Sequence, residues 1–392
     1  MKKLLFIIPL LPIIFFIGCT PSLDTDTPQV ATPEETANTK HQSTPALPPT
    51  PAPELSPAPE QVTEPDPTPE PSPTPEPPPV FGFIDAHADT ISRALLPHNN
   101  AGLYSNNLHV DFERLNKFEA PVQVFVLWCA DSYVKTAFDR TNLMIDFFER
   151  EVNKHSDIIE LALDLDDIER IAREGRISAV LAIEGGEALM GNIENLDHFY
   201  NRGVRILAPT WNRENELGYG QATGSAMGLK PFGIECIQRM DELGMIMDVS
   251  HLNEAGFWDA HNTATRPYMA SHSNAYAVFP HNRNLRDDQI LAIVKSGGII
   301  GFNMFPQIVA PNSQAAMDDV MAHFNHFIQL GAVKHLGLGC DFDGIPSTPA
   351  GITDVSSLKA FGALLAAEFD DNTSHRIMEG NFYEFFKRYF KG

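Results

Sequence analysis

Cysteine is scarce in this chain of 392 residues, which has only four, at positions 19, 129, 236 and 340. Cys19 follows an N-terminal apolar run, and the remaining three are an odd number without close spacing. Disulfide frameworks and zinc knuckles need paired or closely spaced cysteines. The pattern therefore argues against both, and it predicts that Cys129, Cys236 and Cys340 are packed thiols.

Basic residues are also few. Lys and Arg total 28 against 51 Asp and Glu, which gives a formal net charge of −23 at pH 7. Binding to nucleic acid requires a basic face that neutralises phosphates, so no nucleic-acid partner is expected. An acidic balance of this kind is an ordinary means of keeping a protein soluble.

An apolar run approaching the length of a membrane span occurs only near the N-terminus. Residues 1–19 contain two lysines, an apolar stretch interrupted by Pro9 and Pro12, and the pair Gly18-Cys19. Residues 1–19 thus have the form of a secretory signal. The apolar stretch is too short to be a membrane-spanning helix. A small residue before Cys resembles a bacterial lipoprotein cleavage site, which implies that Cys19 is lipidated and anchors the protein outside the cytoplasm on the cell membrane. An ordinary signal peptide with an incidental Cys is the alternative.

Residues 20–80 have few large aliphatic side chains and are rich in Pro, Thr and Glu. Such a segment cannot offset the entropy of ordering by burying apolar surface, and its prolines favour extended backbone. We expect a disordered tether of roughly 3 Å per residue. Residues 81–392 then form the folded domain.

Short apolar runs alternate with helix-like segments along that domain. The eight runs span 80–89, 121–129, 177–186, 204–212, 245–251, 267–273, 297–305 and 335–344. Helical periodicity with an acidic first turn, an initial Pro or a final Gly marks the segments 164–175, 231–244 and 285–298. The alternation predicts a parallel sheet, and eight such units predict a closed (β/α)8 barrel. An open doubly wound sheet is the alternative, because periodicity does not reveal closure.

Polar residues recur where these runs end. They are His87, Asp89, Glu184, Asn212, His251, His272, Asp341 and Asp343. In a barrel the carboxyl ends of the strands converge on one mouth, where such enzymes have their active sites. The spacing of His87 and Asp89 predicts two side chains on one face of a strand. We therefore expect these residues to form one site.

The residue types in this set are those that bind metal ions. A Glu at the end of an apolar strand needs a cation, since an unpaired buried charge is costly. Three His and two carboxylates can hold two divalent ions if one carboxylate bridges, and this mixed set suits zinc, with other divalent ions possible. Two such ions generate hydroxide and polarise a carbonyl. Asp341 is then a free carboxylate that moves a proton, or else a further ligand or a structural cap.

Six short motifs together resemble the renal (membrane) dipeptidase family, metallopeptidases with an amidohydrolase-like barrel. The motifs are "DAHAD", "EGG", "DVSH", "SHS", "RN" and "GLGCDFDG", and the resemblance covers residues 82–390, including "GNF" at 380–382. It implies that His87 and Asp89 hold one zinc ion and that His251 and His272 hold the other. Glu184 would bridge the two ions.

The resemblance also assigns substrate contacts. Arg283 in "HNRNLRDDQ" looks like the arginine that binds the terminal carboxylate of the substrate, for which a guanidinium fork is suited; a surface salt bridge is the alternative. Asp341 would be the acid/base and contact the free amine. Where many members have a histidine that touches the developing oxyanion, this chain has Pro209, which leaves that role to the metals or to neighbours such as Asn212. A homodimer is plausible by resemblance.

The sequence therefore predicts a lipid-anchored binuclear zinc dipeptidase that hydrolyses dipeptides with metal-activated hydroxide. One alternative is an amidohydrolase that acts on N-acyl amino acids. Another is a surface-tethered binding protein with weak catalysis. His323 and His326, on a predicted helix, are expected to be solvated and to have no chemical role.

Overall fold

The structure is a computed structural model that describes residues 79–99 and 101–390. The predicted signal peptide, the predicted lipidation site Cys19 and all but the last two residues of the predicted tether lie outside the described residues. Among the residues that are described, no helix combines the length and hydrophobicity needed to cross a membrane.

Nine parallel strands form one sheet in the described part of the chain. They are β1 (Ile84–Ala88), β2 (Val122–Trp128), β3 (Ile159–Leu161), β4 (Ile177–Glu184), β5 (Val204–Ala208), β6 (Ile246–Met247), β7 (Met269–Ala270), β8 (Ile299–Phe302) and β9 (Leu336–Leu338). All eight predicted runs contain one of these strands. The structure adds β3, which the sequence did not predict.

Helices occupy most connections between the strands. They are α1 (Thr90–Ala94), α2 (Phe112–Leu115), α3 (Ala137–Lys154), α4 (Leu165–Arg173), α5 (Glu194–Asn201), α6 (Pro231–Leu243), α7 (Glu254–Thr263), α8 (Asp287–Ser296), α9 (Pro306–Val309), α10 (Met317–Gln329), α11 (Leu358–Glu368), α12 (Asp371–His375) and α13 (Asn381–Phe390).

The strand order is that of a (β/α)8 barrel. Hydrogen-bonded neighbours run β6-β5-β4-β2-β1-β9-β8-β7. The two ends of this path are joined by a parallel bridge between Asp248 and Met269, with the Val249 amide donating to the Met269 carbonyl at 2.8 Å. The sheet is therefore a nearly closed barrel, and the open doubly wound alternative is wrong.

The additional strand β3 shares an edge of β4 with β5. Ile159 pairs with Ile177 at the start of β4, whereas Val204 pairs with Leu181 further along. β3 thus covers the half of that edge which β5 leaves open. Three residues are too few to give an apolar run, which explains why the sequence did not predict this strand.

The three predicted helices are present with the expected boundary signals. α4 begins after Asp164, whose carboxylate accepts a hydrogen bond from the Asp167 amide at 2.9 Å. α6 begins with Pro231 and ends at Gly244, whose φ of +71° is strained for residues that have a Cβ. These local signals position the helices that cover the barrel.

The strands are buried as expected of a parallel barrel covered by helices. All eight residues of β4 are buried. In β2, Val122, Val124 and Val126 belong to one apolar cluster, and Phe125 and Leu127 belong to another. Alternate residues of the strand therefore pack into different clusters, and the first of these clusters includes aromatic residues of α13.

The expectation that His323 is solvated is wrong. Its side chain is fully buried, Nδ1 accepts a hydrogen bond from the Ala275 amide at 3.1 Å, and Nε2 donates to the Val309 carbonyl at 3.0 Å. His326, in contrast, is partly exposed and lies 2.8 Å from an Asp287 carboxylate oxygen. Burial lowers the pKa of His323 to about 4, although the bond to Val309 opposes the shift.

This burial predicts a pH-dependent stability. Between pH 6.5 and 4 the unfolded chain binds a proton at His323 that the folded chain excludes, so the free energy of unfolding should fall as pH falls through this window, by about 3 kcal/mol from this residue. Urea titrations at pH 7, 6, 5 and 4 should show a flatter pH dependence for His323→Gln than for wild type. Identical slopes would contradict the assignment.

Candidate metal centre

All five predicted metal ligands lie at the carboxyl ends of barrel strands. His87 is in β1, Asp89 follows β1, Glu184 ends β4, His251 follows β6, and His272 follows β7. None is more than 6% exposed. The barrel therefore brings together side chains that are far apart in sequence, in a buried site.

One group of possible ligands surrounds His87. Its Nε2 atom lies 3.4 Å from Asp89 Oδ2, 3.7 Å from Glu184 Oε1 and 3.9 Å from Asp341 Oδ1. Asp89 is not on the strand, as the sequence had suggested, because β1 ends at Ala88. Its amide instead donates to the Phe342 carbonyl at 2.8 Å, and that contact places Asp89 at the mouth of the barrel.

A second group lies on the other side of Glu184. The Glu184 Oε1 atom is 2.8 Å from His251 Nε2 and 3.5 Å from His272 Nε2, and the two Nε2 atoms are 2.9 Å apart. The potential ligand atoms of Glu184, His251 and His272 lie within 4.8 Å of one another, and so do those of His87, Asp89 and Glu184. Glu184 belongs to both, which is the arrangement expected of a bridging carboxylate.

Two carboxylates of the site, Glu184 and Asp341, have pKa values above the ordinary range. Burial raises the pKa of Glu184 well above its ordinary value, with the neighbouring charges of Asp89 and Asp341 adding to the shift and His87 opposing it. Burial also raises the pKa of Asp341 to about 7, again against the influence of His87. Three carboxyl groups so close together therefore stabilise a positive charge that lies among them.

The pKa values of the three histidines are shifted in opposite directions by these surroundings. Burial lowers the pKa of His251 and His272, and the nearby charges of Arg283 and His87 lower it further. Burial also disfavours the charged form of His87, but Glu184, Asp89 and Asp341 outweigh it and raise its pKa to about 10. The three carboxyl groups around His87 thus favour positive charge at this position.

Two buried atoms at the centre of the cluster support metal binding. His87 Nε2 and Glu184 Oε1 make no hydrogen bond within the described residues. Buried polar atoms are rarely left unpaired, and exceptions point to a bound water or ion. Imidazole nitrogens and carboxylate oxygens are the donor set that zinc prefers. The residues present therefore fit divalent metal ions.

Asp341 lies beside this cluster on an unusual stretch of backbone. Its φ is +60°, and that of Asp343 is +69°, a region that Asp tolerates better than most residues. The Asp341 amide donates to the His87 carbonyl at 3.1 Å, and Asn303 Nδ2 donates to Asp341 Oδ2 at 3.0 Å. These contacts hold the carboxyl group at the mouth. Asn303 was not among the predicted site residues.

Arg283 is buried against the second ligand group. Its guanidinium donates to the Ser250 carbonyl and, at 2.9 Å, to His251 Nε2. The alternative that Arg283 forms a surface salt bridge is wrong, because the residue is 9% exposed. The positively charged guanidinium of Arg283 therefore lies beside the candidate ligand His251.

A cavity of about 350 Å³ opens over the cluster. Its polar and apolar lining residues include Glu184, Arg283, Asp341, Asn212, Trp128 and Trp211. Pro209 is not part of this lining, and its carbonyl accepts hydrogen bonds from the Gly186 amide at 3.0 Å and from Asn215 Nδ2 at 2.8 Å. The cavity can enclose a small molecule.

Gly344 is a site residue that the sequence analysis did not identify. A Cβ atom at this position would lie closer than 3.0 Å to both Asp341 Oδ1 and Asp89 Oδ2. The absence of a side chain thus permits the two carboxyl groups to converge. Its place directly after "DFD" was the available signal.

Gly344→Ala should therefore weaken metal binding and activity. The added methyl group displaces the two carboxyl groups, and displaced ligands typically cost 10–100-fold in metal affinity, so an effect of roughly that size is expected. Gly362→Ala in α11 is a control, since its Cβ would meet Met378 at an ordinary 3.5 Å. Equal metal affinity in the two variants, measured by chelator competition, would contradict this role.

Comparison with known proteins gives a consistent family assignment. A family model described as "Membrane dipeptidase (Peptidase family M19)" matches residues 80–389. Dipeptidase tcpJ of Claviceps purpurea is 31% identical over 287 residues, which are 70% of this chain and 67% of that protein. An uncharacterised Klebsiella pneumoniae protein, named for the pqqA 5′ region, is 35% identical over 241 residues, 58% of this chain and 88% of that protein.

Solved structures with the same fold were also found. The crystal structure of dipeptidase AC, a metallopeptidase of family M19, matches with a TM-score of 0.74 and 25% identity, over 80% of this chain and all of that one. A metallopeptidase from Rhodobacter sphaeroides matches with a TM-score of 0.74 and 24% identity, over 79% of this chain and 99% of that one. The latter likeness is one of fold.

A barrel whose strand ends converge on buried histidines and carboxylates is typical of metal-dependent enzymes, hydrolases among them. The family match makes this class specific. The chain belongs to the membrane dipeptidase family, peptidase family M19.

Proposed function

We propose that this protein is a binuclear zinc dipeptidase that hydrolyses the bond of free dipeptides. The observation that carries the proposal is the arrangement of the cavity. A buried cation, Arg283, lies beside His251, a carboxyl group, Asp341, lies beside His87, and both border the cavity that Glu184 also lines. A molecule with a carboxylate at one end and an amine at the other complements this arrangement.

The metals would be held by the two groups that share Glu184. In the proposal His87 and Asp89 bind one ion, His251 and His272 bind the other, and Glu184 contacts both. When bound, two zinc ions would polarise the carbonyl of the scissile bond and lower the pKa of a water molecule. Other divalent ions fit the same donor set.

Arg283 would bind the carboxylate of the substrate. Its guanidinium donates to His251 Nε2, which is also the proposed ligand atom. One nitrogen lone pair cannot serve both partners, so metal binding should release this contact. The freed Nη2 can then pair with a carboxylate in the cavity, where a guanidinium offers two parallel donors.

Asp341 would move the proton. Its pKa of about 7 allows the carboxyl group to accept a proton and return it near neutral pH. Asn303 keeps Oδ2 in a hydrogen bond, which leaves Oδ1, the oxygen nearer to His87, for the reaction. Oδ1 would accept a proton from the water molecule whose oxygen bonds to the carbonyl carbon, and it would pass that proton to the leaving amine nitrogen as the scissile C–N bond breaks.

Relatives with named ligands support the substrate class. The Rhodobacter sphaeroides metallopeptidase was crystallised with a phosphinate mimic of the dipeptide L-Ala-D-Ala, and the Claviceps purpurea relative is named a dipeptidase. These are properties of those proteins, and they make dipeptides the first substrates to test here.

A panel of four compounds tests the proposal. The purified full-length chain, loaded with zinc, would be assayed with free L-Ala-L-Ala, free L-Ala-D-Ala, N-acetyl-L-Ala-L-Ala and L-Ala-L-Ala amide. Free dipeptides should be cleaved, whereas the acetylated compound lacks the amine and the amide lacks the carboxylate for Arg283. Faster cleavage of the acetylated compound would favour an N-acyl amino acid hydrolase. No turnover by zinc-loaded protein would favour a binding protein.

We further propose that Cys19 is lipidated and that residues 20–80 tether the domain to the outer side of a cell membrane. The support is the sequence pattern alone, a small residue before Cys and a proline-rich segment after it. Metabolic labelling with a radioactive fatty acid should label the wild-type chain but not Cys19→Ala. Equal labelling of both would contradict the proposed anchor.

A further inference from the structure

A buried polar network lies behind the ligand cluster and touches two of the three histidines. Asp248 Oδ1 accepts hydrogen bonds from the Ser250 amide at 3.0 Å, the Ser250 hydroxyl at 2.7 Å and the Ser271 amide at 2.9 Å. Its other oxygen, Oδ2, accepts from the Ser271 hydroxyl at 2.5 Å. Asp248, Ser250 and Ser271 are each no more than 5% exposed.

Ser271 is the link between this network and the histidines. Its Oγ atom lies 2.7 Å from His272 Nδ1 and 3.3 Å from His87 Nδ1. A serine hydroxyl has one hydrogen and two lone pairs, and an ionised carboxylate is an acceptor only. Because the hydrogen is committed to Asp248, Ser271 Oγ can only accept from the two rings.

This arrangement determines which nitrogen of each ring is protonated. Nδ1 of His87 and Nδ1 of His272 must carry hydrogen to donate to Ser271, so in the neutral rings both Nε2 atoms present lone pairs. Those Nε2 atoms are 3.7 Å and 3.5 Å from Glu184 Oε1. His251 has the same pattern independently, since Asn212 Oδ1, which accepts from Gln221 Nε2, lies 3.1 Å from His251 Nδ1.

We propose that Ser271, oriented by Asp248, is a positioning residue that presets the tautomer of His87 and His272, and that one hydroxyl thereby supports both metal positions. The inference rests on the proposed function in that it assigns these histidines to two different metal ions. Outer hydrogen bonds of this kind orient ligating histidines and increase their basicity. Here a single side chain serves both halves of the centre.

Two substitutions test the proposal by different routes. Ser271→Ala removes the shared acceptor. Asp248→Asn keeps the volume but places an amide NH2 where Oδ2 was, because Oδ1 is needed by three donors. The Asn would then donate to Ser271, whose own hydrogen must turn to one of the rings and force the opposite tautomer.

Ser273→Ala is the matched control. Ser273 is also fully buried and is adjacent to His272 in sequence, but its hydroxyl has no hydrogen-bond partner among the described residues. The same atom is therefore removed from the same part of the fold without a change in the histidine partners.

The readout is the affinity for zinc alone, measured on the full-length chain by competition with a chromophoric chelator. Ser271→Ala should weaken both zinc sites by roughly 10–100-fold, Asp248→Asn should weaken at least the site whose histidine changes tautomer by a similar factor, and Ser273→Ala should leave both unchanged. Circular dichroism of the metal-free proteins verifies folding, and if Ser271→Ala does not fold, the isosteric Asp248→Asn decides.

Wild-type affinity in either variant, or weakening of only one of the two sites in Ser271→Ala, would overturn the proposal. A wild-type chain that binds no zinc would overturn it as well. Because zinc binding is measured without a peptide, the outcome is separate from the proposed function. A chain that binds zinc in the predicted pattern but cleaves no dipeptide would refute only the peptidase assignment.

Discussion

Glu184→Gln should abolish hydrolysis and release the metal ions. The Glu184 Oε1 atom is the common neighbour of His87, His251 and His272, at 3.7, 2.8 and 3.5 Å. Glutamine keeps the size but removes the charge and puts an NH2 group, which cannot bind a metal, on one side of the bridge. We expect a loss of activity larger than the roughly 100-fold typical of substitutions outside the ligand set.

Glu187→Gln is the matched control for this variant. Glu187 follows the same strand by three residues, and burial likewise raises its pKa, yet it belongs to none of the clustered ligand groups. Metal content by mass spectrometry and the rate of dipeptide cleavage should stay near wild type in this variant. Retention of both metal ions in Glu184→Gln would exclude Glu184 as the bridge.

Asp341→Asn should lower kcat by about 10²–10⁴-fold and leave the metal content unchanged. The amide can still accept the hydrogen bond from Asn303, so the loop should keep its conformation, but it cannot take a proton. The lost step is proton transfer, so most of the effect should be in kcat.

The competing role of Asp341 as a ligand predicts a different result. Asp341 Oδ1 lies 3.9 Å from His87 Nε2, and Asp341 forms a potential ligand group with His87 and His272. If it binds a metal ion, Asp341→Asn should lose metal together with activity. Loss of kcat at full metal content would separate proton transfer from ligation, and parallel losses would contradict the assigned role.

Most of the fold could be predicted because parallel barrel strands are continuous apolar runs. The eight runs were recognisable for that reason, and the Pro and Gly signals located helices such as α6. The number of strand–helix units predicted a closed barrel, and the structure confirms it; periodicity alone could not show closure, since closure depends on one bridge between Asp248 and Met269. β3 was missed because three residues carry no periodic pattern. His323 was misjudged because its partners, Ala275 and Val309, are distant in sequence.

The candidate ligands could be recognised in the sequence because histidines and carboxylates are conspicuous where apolar strands end. The residues that orient them are less conspicuous. Asn303 and Ser271 are of types common in every loop, and their roles depend on which atoms lie nearby in space. The role of Gly344 depends on two carboxyl groups from different strands. Such roles become visible only with coordinates.

The most direct test of the account is a zinc titration of the metal-free chain with activity measured at each step. The purified full-length protein would be stripped with a chelator, and zinc content and cleavage of L-Ala-L-Ala would be followed together. If the centre is binuclear, the stripped protein should have no activity, and the activity should reach its maximum when two zinc ions are bound per chain. Full activity in the stripped protein, or a maximum at one bound ion, would contradict the binuclear centre.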